Sequence, residues 1–88
     1  MILVNQRVIR GIKYSANLTY PNECCGFLSG KKIKELCSID KYHPCDNISQ
    51  LPKKEFKIDP VYHIKLQKKL KNLGKKIIGV YHSHPNGS

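Results

Sequence analysis

Between Asp59 and Tyr81 the hydrophobic pattern changes from a helical period to a strand, and a chain carrying that switch has to pack a helix on a sheet. Asp59 can cap the free N–H groups of a helix, and Pro60 suits its first position. Tyr62, Leu66, Leu70 and Leu73 follow at spacings of four, four and three, with Lys65, Lys68, Lys69 and Lys71 largely off that stripe. Gly74 stands where a C-terminal cap belongs, and lysines near this end suit the helix dipole. The continuous apolar run Ile77-Ile78-Gly79-Val80-Tyr81 then predicts a strand buried on both faces. His82-Ser83-His84 continues it, and Pro85-Asn86-Gly87 breaks it.

The preceding sequence supplies the rest of an α/β or α+β order. Val4, Val8, Ile12 and Ala16 recur every four residues, which predicts a helix from about Asn5, its N-cap, to Leu18. Gly11 weakens that helix by about 1 kcal/mol, and Pro21 ends it. Cys24 to Ser29 reads as a strand, Gly30-Lys31-Lys32 as a turn, and Ile33 to Ile39 as the partner strand. Tyr42 to Lys54 reads as a loop and Phe56-Lys57-Ile58 as a short strand. The order is helix, strands, loop, strand, helix, strand. Eighty-eight residues allow one hydrophobic core at best.

Charge excludes less than it suggests. Sixteen Lys and Arg stand against six Asp and Glu, a net +10, but the only arginines are Arg7 and Arg10. Bidentate recognition of phosphates or bases calls for arginine, so a solvated lysine-rich surface is favoured over nucleic-acid binding. Met1 to Val4 is apolar for four residues only, too short for a signal peptide, and no stretch approaches a membrane span. The chain therefore reads as cytosolic, with no membrane partner. Cys24, Cys25, Cys37 and Cys45 form no CxxC pair, and they read as idle or buried thiols rather than disulfides or a zinc knuckle.

Two features point to chemistry. Successive strand residues face opposite sides, so His82 and His84 project together while Ser83 points away. Two imidazoles on one side, where an apolar strand runs out, can converge on a metal ion, and a catalytic zinc takes three protein ligands plus a water. Alone, the pair is a weak signal and reads first as two ordinary polar residues at a strand end. Glu23 stands between Pro21 and the strand beginning at Cys24. An isolated carboxylate is usually a surface charge, but one entering a buried strand is better placed to sit near a pocket.

Taken together, Tyr20-Pro21-Asn22-Glu23-Cys24-Cys25-Gly26-Phe27-Leu28-Ser29-Gly30 and Gly79-Val80-Tyr81-His82-Ser83-His84-Pro85 resemble the P-x-E-x-C-G and G-x-x-H-S-H-P segments of the JAMM (MPN+, Mov34/PAD-1) zinc metallopeptidases. The resemblance covers the whole chain, with Phe56-Lys57-Ile58-Asp59-Pro60 and the following helix in the family's usual order. It implies an MPN-like mixed sheet flanked by helices and hydrolysis of a peptide or isopeptide bond. His82 and His84 would be ligands of Zn2+, and Glu23 the catalytic group that takes a proton from water and passes it to the leaving amine. Relatives of this kind act on ubiquitin or, in small bacterial members, on ubiquitin-like sulfur-carrier proteins.

The family pattern continues with a Ser and an Asp, the third zinc ligand, that would fall beyond Ser88; Ser88 itself cannot be assigned the serine's role. The resemblance thus implies that residues 1–88 are the N-terminal portion of a single domain, inactive or weakly active alone and open to completion by a C-terminal fragment. Asp46, Asp59 and His63 are the first alternatives for a third ligand within the chain. The other functional reading is a non-catalytic MPN-like interaction module.

Overall fold

In the computed structural model, residues 1–85 are described; Asn86 and Gly87 of the expected strand break, and Ser88, lie outside the described residues. The elements are β1 (Ile2–Val4), α1 (Gln6–Thr19), β2 (Cys25–Ile33), β3 (Leu36–Cys45), α2 (Pro60–Asn72) and β4 (Lys76–His82). The strands form one mixed sheet in the order β1-β3-β2-β4, with β1 parallel to β3 and the other pairs antiparallel. This is the mixed α+β sheet with flanking helices that the sequence predicted.

The helices cover opposite faces. Phe27 packs against Leu66 and Leu70 of α2, with Cys45, Ile58 and Ile77 around them. The ring of Tyr42, next to His43 in β3 and so turned to the other face, fills the space beside Gly11 of α1. The glycine that weakens α1 locally is thus what admits a half-buried aromatic ring. Val8, 2% exposed, anchors the same helix, and Asn5 caps it by accepting a hydrogen bond from the Arg7 N–H at 2.9 Å.

The second helix is capped as its sequence predicts. Asp59 accepts from the Val61 N–H at 2.9 Å. At the other end Gly74, with φ 70, donates to the Lys71 carbonyl while the Lys75 N–H reaches the Leu70 carbonyl, the paired bonds of a Schellman cap. The buried stripe is Leu66 and Leu70 with half-buried His63; Leu73 lies outside it, 58% exposed.

Four expectations need correction. The turn after β2 falls at Lys34-Glu35, where Lys34 takes φ 56, and not at Gly30-Lys31-Lys32. Gly30 sits instead at a register shift in β2, where a side chain would collide with the Ser38 backbone across the sheet. The β3 strand runs on to Cys45 because Cys25 to Leu28 pair with residues 42–45; Pro44 is tolerated there because β1 pairs only with residues 37–39. Phe56-Lys57-Ile58 is not a strand: Lys57 is held by Asn47 and Ile48 in an irregular loop. Finally, β4 is not buried on both faces. It has a sheet neighbour only in β2 among the described residues, Tyr81 is buried, and Val80 is 50% exposed. The apolar start of the sequence contributes the edge strand β1, Ile2–Val4, which pairs with Cys37 to Ile39. Among the described residues no helix is long and apolar enough to cross a membrane.

Candidate metal centre

Strand register builds the site. Cys25 at the start of β2 pairs with His82 at the end of β4. Continuing that antiparallel register sets Cys24 beside Ser83 and Glu23 beside His84. The Ser83 N–H donates to the Cys24 carbonyl at 3.1 Å, and the Ser83 hydroxyl accepts from the Cys24 N–H at 2.9 Å. Ser83 therefore turns away from the histidines, as the strand period predicts, and ties their strand to the segment that carries Glu23.

Glu23, His82 and His84 come together, with one candidate ligand atom from each lying within 4.8 Å of the others. The Glu23 side chain is 5% exposed and that of His82 33%, so the carboxylate is enclosed while the imidazole opens to solvent. Glu23 Oε1 lies 3.2 Å from His82 Nδ1. With the proton on Nδ1, that contact is a hydrogen bond to the carboxylate, and Nε2 keeps its lone pair; carboxylate–histidine pairs of this kind orient metal ligands. The His82 ring stacks on Phe56 at 4.5 Å and 21°, and it meets the His84 ring edge-on at 4.5 Å. Two imidazoles beside a carboxylate are a donor set that suits zinc.

The remaining candidates sit elsewhere. Asp59 is occupied as the α2 cap, and His63 lies against Phe27, with 4.8 Å between ring centroids. Asp46 lines a separate cavity of about 240 Å³ with Cys45, Ile58 and Tyr62. None of the three joins the cluster among the described residues. The cysteines are free. Burial, reinforced by the neighbouring Cys45 and Cys24, pushes the Cys25 thiol up to about 11, and burial raises Cys45 as well. Both remain thiols at neutral pH, which suits packing better than metal ligation.

Three residues at the site were not picked out as functional from the sequence. Ser83 was visible only as the spacer between two histidines. Phe56 was read as part of a strand. Asn47 was read as loop, although its side chain organises the whole segment over Glu23. Asn47 beside Asp46, in the loop that leads to α2, was the available signal.

Residues 5–88 match the family described as prokaryotic homologs of the JAB domain. The chain belongs to this family. The JAMM/MPN resemblance read from its two motifs therefore holds across the JAB domain homolog. Protein DSY2949 from Desulfitobacterium hafniense, known from its solution structure, has the same fold, with a TM-score of 0.85 and 28% identity over 97% of this chain and 57% of that one. This JAB homolog thus spans little more than half of that relative's length. No curated protein matches it significantly.

Proposed function

We propose that this JAB homolog carries two ligands and the proton-transfer group of a zinc-dependent metallopeptidase or isopeptidase acting on a protein, with a ubiquitin-like or sulfur-carrier protein as the substrate class. The observation that supports this is the convergence of Glu23, His82 and His84 at the end of the β2–β4 pair. His82 and His84 would hold the ion, which when bound supplies Lewis acidity toward a scissile carbonyl.

Glu23 would take a proton from the attacking water at its carboxylate and deliver it to the leaving nitrogen, work that suits an enclosed carboxylate beside an open imidazole. On this assignment two protein ligands come from the described residues. A catalytic zinc wants three, so the third comes from outside them, on further polypeptide or on a complementing fragment. The free cysteines fit a cytosolic setting in which thiols stay reduced.

Glu23→Gln distinguishes proton transfer from metal ligation. The variant is expected to keep its zinc, by metal analysis after dialysis, and to lose about 10²–10⁴-fold in cleavage of a ubiquitin-like fusion assayed with the completing segment present. Loss of zinc in that variant would instead make Glu23 a ligand and overturn its assignment to proton transfer, while partner binding that survives loss of Glu23 and both histidines would favour the interaction module.

A further inference from the structure

We propose that Asn47 is a positioning residue for the metal site, acting through Phe56 on the ring of His82 and through the backbone on Glu23. The inference rests on the reading of His82 as a ligand only for its effect on zinc; its effect on ring orientation is independent of that reading.

The carboxamide of Asn47 lies at the centre of the loop between β3 and α2. Its Nδ2 donates to the Glu23 carbonyl at 3.1 Å and the Glu55 carbonyl at 3.0 Å, with the Pro52 carbonyl a longer third neighbour at 3.4 Å. Its Oδ1 accepts from the Ser49 N–H and the Lys57 N–H, both at 3.1 Å. The partners fix the amide's orientation, because carbonyls surround one end and N–H groups the other. Aspartate has no donor for the carbonyls, and glutamine carries its amide one carbon too far.

Two consequences follow from where these partners stand. Glu55 and Lys57 flank Phe56, so the two bonds clamp the backbone on either side of the residue whose ring stacks on His82 at 4.5 Å and 21°. Glu23 is held through its own carbonyl by the same amide, and its N–H donates to the Pro52 carbonyl of the same loop. One half-buried side chain thus ties together the carboxylate-bearing segment and the aromatic wall behind an imidazole. The sheet places His82 and Glu23 along the strands, while this loop sets the rotation of the imidazole.

The test uses the full chain, as wild type, Asn47→Ala, Asn47→Asp and Phe56→Leu. Thermal unfolding establishes that each variant is folded. The His82 ring-proton resonances are followed by NMR without metal, and zinc affinity is measured against a competing chelator. Asn47→Ala and Asn47→Asp are expected to shift the His82 resonances toward those of Phe56→Leu, as the Phe56 ring leaves the imidazole, and to weaken zinc about 10–100-fold. Folded Asn47 variants with wild-type His82 resonances and wild-type zinc affinity would overturn the proposal. If neither Asn47 variant folds, Phe56→Leu decides, and unchanged zinc affinity there would overturn it. A wild-type chain that binds no zinc, but whose His82 resonances respond to Asn47→Ala, would sink the metal reading and leave the positioning role standing.

Discussion

The two ends of β4 carry charge in opposite ways. At its start Lys76 pairs with Gly30, and Lys31, Lys32 and Lys75 gather around a shallow groove with Ile33 and Gly74. Among the described residues the only carboxylate salt-bridged to this group is Asp40, 2.9 Å from Lys75. At its finish stand three ionisable groups, and their main chain is locked by Ser83 and Asn47. The lysine end has more charge and less constraint. Long ammonium side chains in water are screened within roughly 8 Å at physiological salt and need no fixed partner. The end that carries Glu23, His82 and His84 has fewer groups, but each is left fewer ways to point. The net charge of +10 therefore says nothing of where these three groups gather, whereas the His-x-His at a strand end supplies two of them.

The largest expected effect breaks that contrast if it fails. His82→Ala/His84→Ala should abolish zinc binding, while Lys75→Ala/Lys76→Ala should leave it unchanged, both read by metal analysis. Zinc that survives loss of both histidines would move the site to the cysteines. A core change comes next. Leu70 is 2% exposed beneath the sheet, and Leu70→Ala should cost about 2–5 kcal/mol in denaturant unfolding, loosening both ends of β4 together.

A smaller effect concerns pH. His43 shares a 2.7 Å hydrogen bond with Ser29, which is fully buried. Burial lowers its pKa, Lys41, Lys69 and Lys75 lower it further, and Asp40 partly opposes them. The folded state therefore takes up its proton later than the unfolded chain does as pH falls. Stability should decline as pH drops below about 6.5 toward the lowered folded value, because the unfolded state binds more protons in that window. His43→Gln should flatten that part of the curve in urea titrations at several pH values; an unaltered slope would assign it to other groups. The smallest effect belongs to the lysine end. Asp40→Asn removes the half-exposed pair with Lys75 and should change stability by less than about 1 kcal/mol, less still in high salt. A larger loss would mean that this end is more ordered than the contrast allows.

Much of the architecture was legible because it depends on local signals. Asp59-Pro60 and Gly74 fixed α2, Asn5 fixed the start of α1, and the apolar run at Ile77 fixed β4. What failed depends on partners distant in sequence. The strand turn was assigned to Gly30, because glycine is the usual turn residue, but that glycine serves the close approach of Ser38, while Lys34 takes the positive φ. The residues before Pro44 looked like loop until their pairing with β2 was known. The depth of β4 was overread because an apolar run shows what a strand can tolerate and not what lies over it. At the candidate site, the family resemblance singled out Glu23, His82 and His84, which the fold brings together, but nothing in the sequence measures the distance between them. Asn47 was illegible for the same reason: a carboxamide declares its role only through the five backbone groups around it.

The two hydrogen bonds between Ser83 and Cys24 make the candidate site a gauge of strand alignment. A slip of one residue between β2 and β4 would turn both imidazoles to the opposite face and put Ser83 where a ligand belongs. A slip of two would keep the face but separate Glu23 from its neighbours along the strand. An ion that needs His82 and His84 beside the Glu23 segment therefore binds one alignment of the folding chain and rejects the others. On the proposed assignment, metal added during refolding would act as a proofreader of the sheet, enriching the correctly aligned product.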